Sequence, residues 1–391
     1  MTSPDAKPGD PPPPTSLAEL AWLFGKLGVT AFGGPAAHIA MMEDEVVRRR
    51  RWMTHDEFLD LLGTTNLIPG PNSTEMALHI GHARARWSGL VVAGLSFILP
   101  AVLISMAIAW AYVRFGALPE VAGVLYGVKP VIIAVVLQAL WGLGRSALKT
   151  SQLGVIAVAA LAASLAGVNE LLVLVTAGLA VAAWRSMTDR RTARAAGWFP
   201  WPLLGAGTTS AAVSTAFGLG PLFLLFLKVG AVLFGSGYVL LAFLRSDLVD
   251  RLHWLTESQL LDAVAVGQVT PGPVFTTATF VGYVLGGPTA ATVATIGIFL
   301  PAFVFVAISG PLVPRIRRSQ TAGAVLDGVN VASLALMAAV TIQLGRAAII
   351  DVPTALLSAL GAAALIRYKL NSAWLVLGGA LVGAALSYRP W

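Results

Sequence analysis

The sequence predicts an all-α polytopic membrane protein built from two homologous halves, which we expect to be inverted repeats with re-entrant helices broken at Pro-Gly-Pro. Three observations support this fold class. First, 57% of the 391 residues are hydrophobic and only 12% are charged, with a mean hydropathy of +0.78, a balance that a water-soluble chain of this length does not show. Second, several uncharged stretches are long enough to cross a bilayer. Third, the second half of the chain repeats the first.

The composition also excludes several classes of function. The chain has no cysteine, which excludes thiolate-bound zinc or iron-sulfur sites. Its five histidines are scattered and form no His-x-x-x-His pattern, which argues against an intramembrane metalloenzyme. We therefore expect no enzymatic activity, no metal and no cofactor. The net charge of +7 is interpreted as a signal of membrane orientation and not of nucleic-acid binding.

The chain divides into four segments. Residues 1–16 are polar and rich in proline and are expected to form a disordered tail. Residues 17–184 and 220–391 are the two predicted transporter repeats, and 185–219 is the linker between them.

Uncharged apolar stretches predict the membrane spans. Ser88 to Val113 and Thr289 to Pro314 can each cross a hydrocarbon layer of about 30 Å. Others lie at about 121–148 and 323–345, and two pairs of spans lie at 152–184 and 352–388.

An internal duplication is visible when the sequence is compared with itself at an offset of 202 residues. Over Leu20 to Thr74 this offset gives 18 identities in 55 positions, where roughly 4 or 5 are expected by chance. The matched pairs include Phe24/Phe226, Lys26/Lys228, Gly28/Gly230, Arg49/Arg251, Trp52/Trp254, Asp60/Asp262 and Pro69-Gly70-Pro71/Pro271-Gly272-Pro273. After a one-residue deletion, Gly127/Gly328 and Arg145/Arg346 continue the match at 201.

The arginines and lysines indicate how the first half is threaded. If the segment from about 55 to 83 enters the membrane and returns to the same side, nearly all basic residues of the first half's loops share one face. The charges of the second half favour an inverted orientation only weakly. Inverted repeats with broken helices are the architecture of secondary transporters.

Two matched helices are predicted to break within the membrane. Thr54-x-x-Glu57 and Thr256-x-x-Gln259 are capping boxes that start them, and Pro-Gly-Pro ends each after about 14 residues. Broken backbone at membrane depth predicts a cavity. The helices that follow begin with free N–H groups and a positive dipole end, which favour an anion. The alternative is a pair of proline kinks filled by neighbouring helices. The candidate site residues here are Pro69, Gly70, Pro71, Ser73, Thr74, Pro271, Gly272, Pro273, Thr276 and Thr277.

A second pair of weak points follows Lys26 and Lys228. Phe32-Gly33-Gly34-Pro35 and Phe234-Gly235-Ser236-Gly237 can unwind a helix or allow close helix packing. A lysine within a span costs about 3 kcal/mol to insert and therefore faces a cavity or a partner, unless it reaches the surface. We interpret both lysines, with Gly33 and Gly34, as anion-binding candidates.

The sequence resembles the chromate transporter family at several motifs. In the first half these are Phe32 to Pro35 with His38, Arg49, Trp52 and Pro69-Gly70-Pro71, and in the second half they are Phe234 to Tyr238 and Gly267 to Pro273. The resemblance covers residues 17–350 and implies a long-chain member with two domains. It implies export of chromate from the bacterial cytoplasm across the inner membrane, chromate resistance, and halves of opposed orientation. Asn66 stands where the second half has Gln268, a departure that keeps the amide, and both are substrate-binding candidates.

Chromate is a tetrahedral dianion, so we expect two half-helix N-termini, Lys26 and Lys228 to converge on it. Sulfate has the same charge and shape, so a sulfate or related oxyanion transporter is an alternative, as is a passive anion channel. The sequence leaves the oligomeric state open, with a homodimer as one alternative. Beyond the oxyanion, membrane lipid is the expected partner, and no nucleic acid.

Differences between the halves suggest where protons could be coupled. Glu75, His79 and His38 are the candidates, because the second half has Thr277, Val281 and Leu240 at these positions. A structural hydrogen bond between Glu75 and His79 is the alternative. The recurring Asp60, Asp262, Arg145 and Arg346 are candidates for gating ion pairs or interface charges, and His55, His82 and His253 are expected to be solvated.

Overall fold

The computed structural model describes residues 15–32, 34–116, 118–188, 216–233, 239–317, 319–368, 370 and 372–387, with side chains undescribed at 36, 119, 120, 188, 310–317 and 387. Within these ranges the protein is helical and has no strand. Most of the predicted tail and linker, Gly33, and 234–238 lie outside the described residues.

The two halves have the same order of elements. The helices of the first half are α1 (Leu17–Thr30), α2 (Gly34–Glu43) continued by a π-helix (Asp44–Arg49), α3 (His55–Thr65), α4 (Asn72–Phe115), α5 (Pro119–Ala147), α6 (Ser151–Leu165) and α7 (Glu170–Thr188). The second half has α8 (Leu219–Val232), α9 (Leu240–Leu244) continued by a π-helix (Arg245–Arg251), α10 (Glu257–Val269), a 3₁₀ turn (Val274–Thr276), α11 (Thr277–Arg317), α12 (Gln320–Ala348), α13 (Val352–Tyr368) and α14 (Ser372–Ser387).

Among the described residues, five helices are long and apolar enough to cross a bilayer, within 72–115, 121–147, 170–187, 274–309 and 320–348. Large apolar side chains on the outside are widely exposed, among them Leu103 at 65% and Trp374 at 74%. A surface of this kind is stable in lipid and not in water. The protein is therefore a multi-pass membrane protein.

Sharp turns divide α4 and α11 into two parts each. Ala85 and Arg86 of α4 have non-helical backbone angles, and so do Gly286 and Gly287 of α11. A Cβ atom on Gly81 would lie 2.3 Å from the carbonyl oxygen of Gly89, so the two parts of α4 lie side by side. We call these parts α4a (72–84) and α4b (87–115), and the corresponding parts of the second half α11a (277–285) and α11b (288–317).

In the first half, two pairs of helices form hairpins. The start of α1 lies near the end of the π-helix that continues α2, and the start of α3 lies near the end of α4a. Arg50, after the π-helix, forms an ion pair of 2.6 Å with Glu19 in the first turn of α1. Arg84, at the end of α4a, donates hydrogen bonds to the Thr15 hydroxyl before α1 and to the Trp52 carbonyl before α3. The chain therefore turns back after α1, and again after α3.

The two halves are interlocked. Helix α5 of the first half packs against α13 and α14, and α12 of the second half packs against α6 and α7. A Cβ atom on Gly127 would lie 2.0 Å from the Gly379 carbonyl oxygen, and one on Gly328 would lie 2.5 Å from that of Ala177. The two glycines are equivalent in the duplication, so the same backbone-to-backbone approach occurs twice.

Candidate functional site

The Pro-Gly-Pro segments lie between two helices in both halves. Helix α3 ends at Thr65 and α4 begins at Asn72, while α10 ends at Val269 and the 3₁₀ turn begins at Val274. Both predicted capping boxes, at Thr54 and Thr256, are present. Gly70 and Gly272 have φ angles of +139° and +87°, which favour glycine at these corners.

Each corner is bonded to the other half of the protein. The Gly70 N–H donates to the Leu233 carbonyl at the end of α8, at 2.8 Å, and the Gly272 N–H donates to the Ala31 carbonyl at the end of α1, at 2.9 Å. Leu233 and Ala31 are equivalent in the duplication, so the two bonds form a reciprocal pair. The N–H donors of the two corner glycines are therefore already used, and the free N–H groups expected at the starts of the following helices stay a prediction.

The second-half corner is closed and satisfied. Pro271 to Thr277 are buried. The Thr276 hydroxyl donates to the Pro273 carbonyl and the Thr277 hydroxyl to the Val274 carbonyl, both at 2.8 Å. A small cavity beside this corner has room for about one water molecule and is lined by Leu240, Leu241, Leu244, Val264, Gln268, Val274 and Thr277.

The first-half corner is more open and carries unsatisfied polar groups. Asn66 is exposed, and its side-chain carbonyl accepts a hydrogen bond of 2.8 Å from Asn72. Both carboxyl oxygens of Glu75, which is 0% exposed, have no hydrogen-bond partner. The same holds for Asn72 Oδ1, Thr74 Oγ1 and His79 Nε2, whereas Ser73 is simply buried. The alternative of a structural Glu75–His79 hydrogen bond is thus not formed through the carboxyl group in this structure.

Both lysines are paired with carboxylates. The Lys26 ammonium lies 3.0 Å from Glu45, and that of Lys228 contacts Asp247. Arg49 and Arg251 contact the same carboxylates, at 3.6 Å and 2.8 Å. The duplication aligns all three members of these clusters. Sequence reasoning missed the carboxylates because Glu45 and Asp247 are not identical, although they match at the offset of 202.

The charges around Glu45 determine the ionisation of its carboxyl group. Burial alone would raise the pKa of Glu45, but the hydrogen bonds and positive charges of Lys26 and Arg50 outweigh it and hold the pKa below its usual value. The carboxylate therefore stays ionised, and it neutralises the lysine in this conformation.

His38 is linked to the second-half corner. Its Nε2 atom lies 3.0 Å from the Ala31 carbonyl oxygen, which also accepts the Gly272 N–H. A carbonyl only accepts, so Nε2 carries the proton, and the buried Nδ1 atom has no partner. Gly34, which starts α2, has a φ of +79°.

Asp262, one of the charged groups that recur in both halves, pairs with a residue outside that set. Asp262 lies 3.3 Å from the Lys129 ammonium and accepts a hydrogen bond of 2.9 Å from the Tyr112 hydroxyl. Its partner is therefore neither Arg145 nor Arg346. Asp60, the equivalent of Asp262 in the first half, is exposed. Lys129 has no equivalent lysine in the second half, where Asn330 stands at the matching position. Lys129 was missed as a site residue, although a lysine within an apolar span is itself a signal.

The described residues contain no group of three or more His, Asp or Glu side chains placed to hold a metal ion. The polar groups of the site are thus amides, hydroxyls, the imidazoles of His38 and His79, the isolated carboxyl group of Glu75 and paired cations.

Comparison with known proteins adds the family. The profile of the chromate transporter family matches residues 18–183 and 220–384. A chromate transport protein of Cupriavidus metallidurans is 32% identical over 375 residues, and one of Pseudomonas aeruginosa is 34% identical over 388 residues; each alignment covers 95% of this chain and 93% of the relative. A probable chromate transport protein of Synechococcus elongatus is 31% identical over 349 residues, 88% of both chains.

No solved structure matches the chain significantly. The profile and the full-length relatives agree with each other and with a multi-pass membrane fold. The chain therefore belongs to the chromate transporter family, which is a membrane transport family and not a family of enzymes.

Proposed function

We propose that this protein is a secondary transporter that exports chromate from the cytoplasm across the bacterial inner membrane and so confers chromate resistance. The relatives' names support chromate as the substrate. The structural observation that carries the proposal is the reciprocal bonding of the two broken corners, because it joins both halves at one internal place where backbone leaves the helical pattern. Sulfate stays the alternative, since its charge and shape are those of chromate.

We propose further that 17–184 and 220–391 are inverted repeats joined by 185–219. Helix α3 begins beside the end of α4a, as the Arg84–Trp52 hydrogen bond indicates. Helix α10 begins near the opposite end of α4b, where Tyr112 contacts Asp262 and where Lys129 of α5 donates a hydrogen bond of 2.6 Å to Ser258. Because α4b is long enough to cross the bilayer, these contacts support entry of the two re-entrant hairpins from opposite faces.

The substrate site in this proposal is the space at the two corners. The first-half corner supplies the amide of Asn66 and the start of α4a, and Gln268 supplies an amide at the second. The small size of the cavity there supports a closed conformation in this structure. Lys26 and Lys228 remain binding candidates, since each precedes the helix end that is bonded to the opposite corner. To bind a dianion, each must leave its carboxylate partner.

Export itself needs little further energy. Two negative charges that move outward through an interior-negative membrane release about 4.6 kcal/mol per 100 mV. That energy corresponds to roughly 2,000-fold accumulation outside. Coupling to another ion is therefore not required by the energetics.

The test is radiolabelled chromate flux in proteoliposomes with an imposed potential and pH gradient. We expect flux that follows the potential, loss of flux in Lys228→Ala, and unchanged flux in Lys149→Ala, whose lysine forms an exposed ion pair with Asp327. All variants must be present in the membrane at equal amounts. Unchanged flux in Lys228→Ala would remove Lys228 from the site. A wild-type protein that moves sulfate but no chromate would establish the alternative.

A further inference from the structure

Helix α4a carries a stripe of polar residues along one face. Asn72, Glu75, His79 and His82 follow one another at spacings of three, four and three residues, which places them on the same side of a helix. The equivalent positions of the second half hold Val274, Thr277, Val281 and Val284. The stripe is therefore a property of the first half alone.

The stripe runs from the first-half corner to one end of the helix bundle. The helix rises by ten residue steps from Asn72 to His82, about 15 Å, which is half of a hydrocarbon layer of about 30 Å. His82 is half-buried and packs edge-on against Trp87, close to the turn that joins α4a to α4b. At the other end, Asn72 bonds to the exposed Asn66. The stripe thus connects the end of the helix bundle near His82 with the first-half corner at Asn72.

The inner members of the stripe are buried without partners. Glu75 is 0% exposed and His79 is 8% exposed, and neither the carboxyl group nor His79 Nε2 has a hydrogen-bond partner. An ionised carboxylate in such a place is very costly, so the Glu75 carboxyl group is neutral in this conformation. The Glu75 carboxyl group and the His79 imidazole can each bind or release one proton.

The charged groups on neighbouring helices do not pair with the Glu75 carboxyl group. The Asp, Glu, His, Lys and Arg residues on α1, α2, α3 and α10, which pack against α4, are Glu19 and Lys26 of α1, His38 and Glu43 of α2, His55, Asp56, Glu57 and Asp60 of α3, and Glu257 and Asp262 of α10. Glu19, Lys26 and Asp262 are paired with Arg50, Glu45 and Lys129. Helix α11 carries no Asp, Glu, His, Lys or Arg from 277 to 309. None of these groups forms a hydrogen bond with the Glu75 carboxyl group.

We propose that Asn72, Glu75, His79 and His82 form a one-sided proton path, in which a proton from one membrane face passes through the two imidazoles to a Glu75 carboxylate oxygen. The inference rests on the proposed function and deepens it. A neutral Glu75 leaves the corner able to accept a dianion, whereas an ionised Glu75 adds a like charge beside it. Protonation at Glu75 therefore favours chromate binding, and the pH of a single face controls it.

The experiment measures the KM for chromate in oriented proteoliposomes while the pH is varied on each side separately. For the wild-type protein we expect KM to rise with pH on one side and to be unaffected by pH on the other. Glu75→Gln should transport chromate with a KM that no longer depends on pH. His79→Val, which copies the second half, should weaken the dependence. Glu57→Gln is the matched control, because Gln259 stands at this capping position in the second half, and it should behave as wild type.

A readout without substrate separates this inference from the proposed function. The infrared spectrum of the full-length wild-type protein should show the carbonyl band of a protonated carboxylic acid. Glu75→Gln should lack this band, and Glu57→Gln should retain it. If that band is absent, or if pH acts equally from both faces, the proton path is wrong, even when chromate is transported. If the band is present in a protein that moves no chromate, the proton site stands and the proposed function fails.

Discussion

Gly127→Ala tests the interlock of the two halves. Gly127 lies in α5 where this helix crosses α14, and a methyl group there would lie 2.0 Å from the Gly379 carbonyl oxygen and 2.7 Å from the Gly383 nitrogen. Carbon and oxygen atoms in close contact lie about 3.3 Å apart. The two helices would therefore have to separate by roughly 1.3 Å at this point, because neither contact atom belongs to a flexible side chain.

The expected cost follows from this displacement. Overpacking of a well-packed interface costs about 1 to 3 kcal/mol, and a backbone-to-backbone contact belongs at the upper end. Alanine regains about 1 kcal/mol of helix propensity over glycine. The net loss for Gly127→Ala is about 2 kcal/mol, which is roughly a 30-fold change in the ratio of folded to unfolded protein. Gly328→Ala, at the equivalent crossing of α12 and α7, should lose a similar amount.

The assay is the fraction of monodisperse protein that survives heating in detergent, followed by size-exclusion chromatography. Gly142→Ala is the control in the same helix, because a Cβ atom there would meet nothing within 4 Å. We expect this control to equal or slightly exceed the wild type. Equal survival of Gly127→Ala and Gly142→Ala would refute the close approach of α5 and α14.

Two further predictions concern charged groups. Lys129→Met leaves Asp262 as a buried carboxylate without its cation, so thermal survival should drop by the equivalent of about 3 kcal/mol. The double variant Lys129→Met with Asp262→Leu should regain most of this loss. A double variant as unstable as the single one would argue against the pair. At Asp351, between α12 and α13, the hydrogen bond from the Tyr126 hydroxyl, followed by those from Thr354, lowers the pKa of the carboxyl group. A lowered pKa in the folded state stabilises the protein above the unfolded value, near 3.8, and this contribution is lost as pH falls through the folded value. The difference in thermal survival between the wild type and Asp351→Asn should therefore be present at pH 7 and shrink below pH 4, and a difference that does not change with pH would contradict the assignment.

Local features of the fold were predictable because they depend on residues close together in the sequence. The capping boxes at Thr54 and Thr256 are four-residue patterns, and their hydrogen bonds appear as expected. The positions of the long apolar helices follow from hydropathy, and the duplication follows from identities at one offset. The capping boxes and the hydropathy of each span are complete within a short window of the sequence, and the duplication is visible by comparing the sequence with itself.

The contacts that join distant parts of the chain were not predictable. Nothing in the sequence near Lys26 and Lys228 shows that each is held by a carboxylate 19 residues further along the chain, because the intervening turn decides the distance. The partner of Asp262 is Lys129, from the other half, and not a recurring arginine. The Gly70 and Gly272 hydrogen bonds likewise cross between halves. Such pairings depend on the packing of whole helices, which one sequence without relatives does not encode locally.

The crossing of α5 with α14 has a consequence for biosynthesis. A ribosome completes α5 long before it begins α14, yet Gly127 is shaped to fit against Gly379 and Gly383. The newly inserted α5 therefore waits in the bilayer with its contact surface against lipid until the last two helices arrive. Final assembly of either half must follow translation of the C-terminal helices, and a chain that stops before them leaves both α5 and its neighbours as substrates for membrane quality control.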